Sequence, residues 1–269
     1  MKRLLVVATF VLAAAVSILA QVRRPFGGFF GEYEPTVANP EYDGRFTFAR
    51  LKYQSGPGGY YYRGLPAWAH GYIPMTGGGS AEHNLMKIMD DISYLHPRVE
   101  TSAVFTLDDP ELCRYPVAYM TEPGFWTLND KEAAAFRAYL LKGGFVIFDD
   151  FRATGDPRAG GGWENFEANM HRILPEARIV DLDPTMQVYD SFFRIESFDI
   201  VPQSYDRGRP MFRGIFEDND PKKRLMAIIN YNTDVSDFWE FSATGFRPIE
   251  ESNEAYKLGV NYIIYGMTH

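Results

Sequence analysis

The sequence contains a single cysteine, Cys113, in 269 residues. A chain with one cysteine forms no internal disulfide and offers no cysteine pair for a structural zinc site. The core must therefore be large enough to be stable without cross-links. Cys113 lies in the segment DDPELCRYP, which lacks the strand-to-turn pattern of a catalytic nucleophile, so we expect a small, partly buried structural residue.

The chain also has little basic character. It carries 27 Lys and Arg residues against 35 Asp and Glu residues, for a net charge of −8. The densest basic stretch, PKKR at 221–224, has the composition of a hairpin turn. Nucleic-acid binding depends on concentrated positive charge that neutralises phosphates, so a nucleic-acid partner is excluded.

Several catalytic signatures are missing. There is no G-x-S-x-G elbow, no dinucleotide-binding glycine fingerprint after the first predicted strand, and no HExxH or i, i+4 pair among the five histidines. The glycine-rich segment at 76–84 lacks the lysine of a phosphate-binding loop and fits an ordinary capped helix start. No cofactor is indicated, and a divalent metal held by carboxylates from separate segments is the remaining option.

The only long apolar run stands at the N-terminus. MKR precedes a near-apolar stretch from Leu4 to Ala20, the pattern of a secretory signal peptide. We expect residues 1–20 to be cleaved before Gln21, with an uncleaved membrane anchor as the alternative. The protein is then exported, periplasmic or extracellular. Residues 21–44 mix Pro, Gly and aromatics and predict a flexible tether, which leaves 45–269 as a single domain.

Apolar periodicity predicts strands alternating with helices in that domain. The strands fall at 45–53, 99–105, 115–121 and 145–151, and the helices at 80–95, 127–144 and 163–175. Such alternation with short connections predicts an α/β fold with a mostly parallel sheet and helices on both faces. A β-hairpin is predicted at 210–232 and a closing helix at 250–269. Ser80 is the expected N-cap of the first helix, and Thr127 with Asp130 of the second.

Candidate site residues follow from the topology alone, because ligands bind outside the carboxyl ends of parallel strands. The acidic candidates for catalysis or metal binding are Glu122, Asp149, Asp150 and Asp234. The ligand-binding candidates are Tyr61, Trp68, His70, Trp163 and Asp237. The aromatic residues among them could stack on a sugar or a peptide, or fill the core.

Asp149 and Asp150 allow two interpretations. Adjacent residues on a strand point to opposite faces, so both do not face one pocket while the strand continues. In the structural interpretation, one carboxylate accepts backbone N–H bonds from a neighbouring loop. In the functional one, an aspartate joins Glu122, Asp234 or Asp237 to hold a divalent cation or to perform acid–base chemistry.

Several segments resemble a known family: FTFARLKY, DDPELCRYPVAYMTEPGFWTLNDKEAAAFRAYLLKGGFVIFDDF, NTDVSDFWE and KLGVNYIIYGMTH. They are similar to a bacterial domain-of-unknown-function family placed with the class I glutamine amidotransferase-like fold, over about residues 45–269. The resemblance implies a flavodoxin-type sheet between helices and no established activity. Amidotransferases of that fold need a cysteine on the turn after a central strand. Here that turn, 121–124, is Thr-Glu-Pro-Gly, so glutaminase activity is not expected.

Three functions remain open. The first is a non-catalytic domain of the cell envelope that binds a ligand or partner at the strand ends. The second is a hydrolase-like enzyme that acts on a carbohydrate or cell-envelope substrate through the strand-end carboxylates. The third is an envelope scaffold whose aromatic tether docks a partner protein. Convergence of the carboxylates in one cleft would distinguish the second from the first, and the expected partner is an envelope protein or a glycan.

Overall fold

The computed structural model describes residues 35, 37–59, 64–72, 80–150, 162–199 and 209–269. The predicted signal peptide, most of the predicted tether, and Tyr61 lie outside these residues, so their predictions stay predictions. Within the described part of the chain, no helix combines the length and the apolar character needed to cross a membrane.

Seven strands form one mixed sheet. They are β1 Ala49–Lys52, β2 Ala103–Thr106, β3 Val117–Thr121, β4 Phe145–Asp149, β5 Val180–Asp181, β6 Met211–Phe216 and β7 Leu225–Tyr231. Their order is β2-β1-β3-β4-β7-β6-β5. The first five strands in this order are parallel, and β6 and β5 extend the sheet as antiparallel neighbours. The parallel part has the strand order of flavodoxin-like proteins.

Among the described residues, five α-helices cover both faces of the sheet. They are α1 Ala81–Ile92, α2 Asp130–Leu141, α3 Trp163–Ile173, α4 Val235–Glu240 and α5 Ile249–Thr268. Apolar residues of α2 and α3 pack into one core layer, and those of α1, α4 and α5 into the layer on the opposite face. The predicted α/β class, the mostly parallel sheet and the hairpin formed by β6 and β7 are confirmed.

The central strands are apolar on both sides because helices cover both faces. All five residues of β3 and all five of β4 are buried. The closing helix packs closely through its glycines. A Cβ at Gly259 would lie 2.6 Å from the Trp239 ring, and one at Gly266 would lie 2.6 Å from Val117. The small residues of α5 thus allow it to lie directly on the sheet and on α4.

Local details differ from the sequence predictions in three places. The capping box of α2 is formed by Asn129 and Glu132, because the hydroxyl of Thr127 instead donates to the Gln54 carbonyl at 2.6 Å. Cys113 is exposed, not partly buried, whereas the neighbouring Leu112 of the same 3-10 turn packs into the core. The short elements β5 and α4 were not predicted, because a two-residue strand and a six-residue helix are too short to show a periodicity.

A buried histidine–carboxylate site at the strand ends

Two central strands end in acidic residues with left-handed backbone conformations. Glu122 follows β3 with φ of 48°, and Asp150 follows β4 with φ of 63°. Residues other than glycine rarely adopt this conformation, which costs about 1–2 kcal/mol. Such strain is concentrated at functional sites, where the surrounding structure enforces it. The chain therefore turns sharply at both carboxylates, and Asp150 is released from the strand geometry that governs Asp149.

His70 lies between these two carboxylates. Its Nδ1 is 3.1 Å from Glu122 Oε1 and 3.0 Å from Asp150 Oδ2. One potential ligand atom from each residue lies within 4.8 Å of the other two. His70 comes from the connection between β1 and α1, and Glu122 follows β3. The cluster thus lies where the winding of the sheet reverses between β1 and β3, the usual ligand position in this topology.

The electrostatics of the cluster favour positive charge. Burial opposes the charged form of His70, but the hydrogen bond and charge of Asp150, together with the charge of Glu240, raise its pKa above 6.5. Glu122 and Asp150 are buried, whereas the side chain of His70 is 14% exposed. A proton on Nδ1 satisfies both carboxylates in this arrangement. A metal ion at the same position would replace that proton.

Asp149 points away from this cluster and has a structural role. Its carboxylate accepts hydrogen bonds from Tyr119 Oη at 2.9 Å, Asn230 Nδ2 at 2.9 Å, Val235 N at 3.2 Å and Ser236 N at 2.9 Å. Burial nevertheless raises its pKa above 3.8 despite these donors, and Asp150 adds to the shift. Asp149 therefore connects β3, β4, β7 and the start of α4 through hydrogen bonds. This agrees with the structural interpretation, in which one carboxylate accepts backbone N–H bonds from a neighbouring loop.

Asp234 lies beside the cluster and is fully enclosed. Its Oδ1 caps α4 by accepting from Asp237 N and from the Ser236 hydroxyl, both at 2.9 Å. Within the described residues its Oδ2 has no hydrogen-bond partner. Burial, and then the charges of Asp150 and Asp149, hold its pKa well above 3.8. The surroundings of Asp234 thus favour its neutral, protonated form next to Asp150.

Replacing Asp234 with asparagine should stabilise the protein at alkaline pH. Asparagine caps helices as well as aspartate does, so the cap of α4 survives while the buried charge is removed. Because the folded pKa of Asp234 is raised, its favourable contribution is present below 3.8 and is lost as pH rises through the folded value. We expect a gain of about 1 kcal/mol at pH 8 that disappears towards pH 4, measured by urea unfolding with chelator present. An equal gain at both pH values would contradict this assignment.

Asp237 interacts with a different residue and not with His70. It forms an ion pair with Arg247, whose guanidinium lies 5.1 Å from the ring centre of Phe238 and 4.8 Å from that of Phe246. The carboxylate is buried under this arginine. The structure therefore places Asp237 in an ion pair that connects α4 with the start of α5, and not in the His70 cluster.

The aromatic candidates lie in different surroundings. Trp68 is fully buried, with Lys52 Nζ 5.4 Å from its ring centre, so its ring belongs to the core and is not an open contact surface. Trp163 is half-buried, with the Arg213 guanidinium 4.4 Å from its ring centre. Neither residue belongs to the His70 cluster.

Two side chains hold the strained turn after β3. Tyr53 Oη donates to the Thr121 and Glu122 carbonyls at 2.9 and 2.7 Å. From the other side, Asn165 Nδ2 of α3 donates to the Gly124 carbonyl at 3.1 Å and to the Trp126 carbonyl at 2.8 Å. The backbone of Glu122 is thereby fixed from the end of β1 and from α3.

Replacing Tyr53 with phenylalanine should loosen this turn. It removes a hydroxyl proton shared by the Thr121 and Glu122 carbonyls, of which the Glu122 carbonyl also accepts from Phe125 N at 3.1 Å, so we expect the free energy of unfolding to fall by about 1 kcal/mol, measured by urea unfolding. Tyr139→Phe is the matched control, because Tyr139 Oη donates to the Tyr115 carbonyl at 2.8 Å far from the site. Only Tyr53→Phe should also weaken binding of the metal ion that is proposed below for His70, Glu122 and Asp150. Equal effects of both variants on binding would refute a role for Tyr53 at the site.

Sequence reasoning missed the two residues beneath the site, Arg50 and Glu82. Both are buried, and the Arg50 guanidinium forms an ion pair with Glu82 of α1. Arg50 follows Phe46 and Phe48 at intervals of two, so strand alternation alone places all three on one face. An arginine on a strand covered on both sides is the signal that could have identified it.

The fold and this cluster define an α/β protein of flavodoxin-like topology with a partly buried histidine and two buried carboxylates at its strand ends. The chain belongs to the family described as domain of unknown function DUF4159, whose model matches residues 47–267. The predicted resemblance is confirmed at that level. Comparison with curated proteins finds no match.

Proposed function

We propose that this protein is a ligand-binding domain and that its ligand is a divalent metal ion, bound by His70, Glu122 and Asp150. The single observation that carries the proposal is the convergence of Nδ1, Oε1 and Oδ2 from three separate segments within 4.8 Å. Nitrogen and carboxylate oxygen are the ligands that Zn²⁺, Mn²⁺ and Fe²⁺ share. The two negative charges would balance the charge of the ion.

The distances within the cluster fit a coordination sphere. Ligands that lie 2.1 Å from a metal and subtend a right angle are separated by about 3.0 Å. Nδ1 lies 3.1 Å from Oε1 and 3.0 Å from Oδ2, so these separations match the spacing of neighbouring ligands on one ion. Binding would need loss of the Nδ1 proton, which the ion would replace. The strained turns at Glu122 and Asp150 support such preorganisation.

Metal binding is tested by melting and calorimetry of residues 21–269. Zn²⁺ or Mn²⁺ at 100 times its Kd should stabilise the protein by about 2.7 kcal/mol. That corresponds to a rise in Tm of roughly 5–10 °C for a domain of this size. Mg²⁺ and Ca²⁺ should have weaker effects, because they prefer sites made only of oxygen.

The His70→Gln variant should lose this response. His96→Gln is the matched control, because His96 Nδ1 pairs with Asp90 at 3.3 Å on the exposed surface. We expect wild-type binding in His96→Gln and binding weakened at least about 100-fold in His70→Gln. Equal binding by both variants, or no metal-dependent rise in Tm for the wild type, would refute the proposed site.

A second candidate function, hydrolysis of a carbohydrate or cell-envelope substrate, is supported by the number of ligands. Three protein ligands are typical of catalytic metal sites, which keep a position for water, whereas structural sites are closed by four. Asp234, with its raised pKa, lies next to Asp150 as a possible proton donor. Metal-dependent release of soluble fragments from purified envelope glycans, lost in Asp150→Asn, would establish this activity.

The remaining proposals concern origin and location. We propose that the fold is related to class I glutamine amidotransferases, which is supported by the flavodoxin-like strand order and by the sharp turn at Glu122 after β3. We also propose export to the periplasm or beyond, which is supported by the apolar run from Leu4 to Ala20. An envelope protein or a glycan would then be the partner. Fractionation of cells that express the full chain tests the location.

A further inference from the structure

We propose that Arg50 is a positioning residue that fixes His70 in the geometry needed for metal binding. The inference rests on the proposed metal site and adds to it a residue that touches no ligand. Arg50 lies on β1 and is completely buried. Its Nη1 donates to the Trp68 carbonyl at 2.9 Å and to the His70 carbonyl at 2.7 Å.

These two bonds hold one carbonyl within a 3-10 turn and one directly after it. The turn spans Ala67–Ala69, and its Ala67 N donates to the Gly59 carbonyl at 2.8 Å and to Ser55 Oγ at 3.2 Å. His70 directly follows this turn and projects Nδ1 towards Glu122 and Asp150. Arg50 Nη1 thus holds two backbone carbonyls of the segment that carries the imidazole, whereas both carboxylates follow the ends of their strands.

The guanidinium is itself held rigidly. Its Nε donates to the Glu82 carboxylate of α1, and its carbon lies 5.0 Å from the Tyr119 ring centre and 5.8 Å from that of Tyr72. The planar fork of arginine can serve Glu82 and both carbonyls at once, which a lysine ammonium cannot match in geometry. A buried charge held in this way connects α1 and β1 with the segment that carries the histidine.

Arg50→Lys tests whether Arg50 positions His70, because it keeps the positive charge beside Glu82 but removes the guanidinium. Arg224→Lys is the matched control. Arg224 also bridges two backbone carbonyls, Leu140 at 2.7 Å and Gly144 at 2.9 Å, but at the opposite end of β4. Both substitutions should lower Tm, whereas only Arg50→Lys should weaken Zn²⁺ or Mn²⁺ binding, by about 10- to 100-fold.

A second measurement does not depend on metal. The ring nitrogens of His70 are observed by long-range ¹H–¹⁵N NMR of histidine-labelled protein and assigned by their loss in His70→Gln. We expect Arg50→Lys to change the tautomer and the ¹⁵N chemical shifts of this ring, and Arg224→Lys to leave both unchanged. If Arg50→Lys lowers Tm like its control but changes neither the metal affinity nor the His70 signals, Arg50 is only structural.

Metal binding and the NMR signals of His70 test the metal site and the positioning role of Arg50 separately. Absence of metal binding in the wild type would refute the metal site, and the NMR signals would still show whether Arg50 positions His70. If Arg50→Lys does not fold, Glu82→Gln removes the charge that holds the guanidinium and leaves Arg50 in place. The same displacement of the His70 signals is then expected, and unchanged signals would overturn the proposal.

Discussion

Replacing Asp149 with alanine is expected to lower the free energy of unfolding by about 3–5 kcal/mol, the largest effect on stability among the substitutions considered. The carboxylate accepts four hydrogen bonds, from Tyr119, Asn230, Val235 N and Ser236 N. Each buried donor left without an acceptor costs about 1–3 kcal/mol, offset in part by removal of a buried charge. Urea unfolding followed by tryptophan fluorescence at pH 7 measures the loss.

Asp183→Ala provides the comparison for this prediction. Asp183 also accepts from a backbone N–H and a hydroxyl, both of Thr185, but on the exposed surface, where water can replace it. Its substitution should cost no more than about 1 kcal/mol. If Asp149→Ala costs as little as Asp183→Ala, then the four bonds to Asp149 do not hold the strand ends together. The structural role of Asp149 would then be wrong.

Replacing Glu122 with glycine should change stability and metal binding in opposite directions. Glycine adopts a φ of 48° without strain, which recovers about 1–2 kcal/mol, while its greater freedom in the unfolded chain costs about 0.5–1 kcal/mol. We expect metal-free protein to be as stable as wild type or up to about 1 kcal/mol more stable. Loss of a ligand should weaken metal binding more than about 100-fold. Urea unfolding with chelator and calorimetry with Zn²⁺ or Mn²⁺ measure the two effects.

Asp218→Gly is the matched control for the strain. Asp218 also has a left-handed backbone, with φ of 53°, but lies on the turn between β6 and β7. This variant should show a similar effect on stability and wild-type metal binding. Wild-type affinity in Glu122→Gly would remove Glu122 from the metal site. A large loss of stability in Glu122→Gly would mean that the fold requires the Glu122 carboxylate, and that relief of the backbone strain does not compensate for its loss.

The architecture was predictable because its signals are local. The runs VAYM and FVIF, which lead to a polar residue at the end of each strand, are apolar at every position, as expected for strands covered on both faces. The closing helix repeats its buried positions at helical spacing, from Ala255 to Gly266. The start of α2 was misplaced because Thr127 and Asn129 are both good caps, and tertiary contact with Gln54 decides between them.

The site was predictable only in part. The rule for parallel sheets identified Glu122, Asp150 and His70 among nine candidates, but it could not separate them from Asp149, Asp237 or Trp68. Asp149 and Asp150 are adjacent in sequence, and only the turn at Asp150 gives them different partners. Trp68 has the composition of a contact residue but is completely buried, which depends on packing by distant segments.

The sequence by itself determined the order of strands and helices, the parallel sheet and the edge at which acidic residues collect, since each follows from the periodicity of neighbouring residues. Only the tertiary structure decided which carboxylates meet His70, because they come from segments 52 and 80 residues away along the chain. It also decided that Arg50 lies beneath them, fully buried and paired with Glu82. Distances of a few ångströms between such segments depend on how the helices pack on both faces of the sheet, which no local pattern encodes.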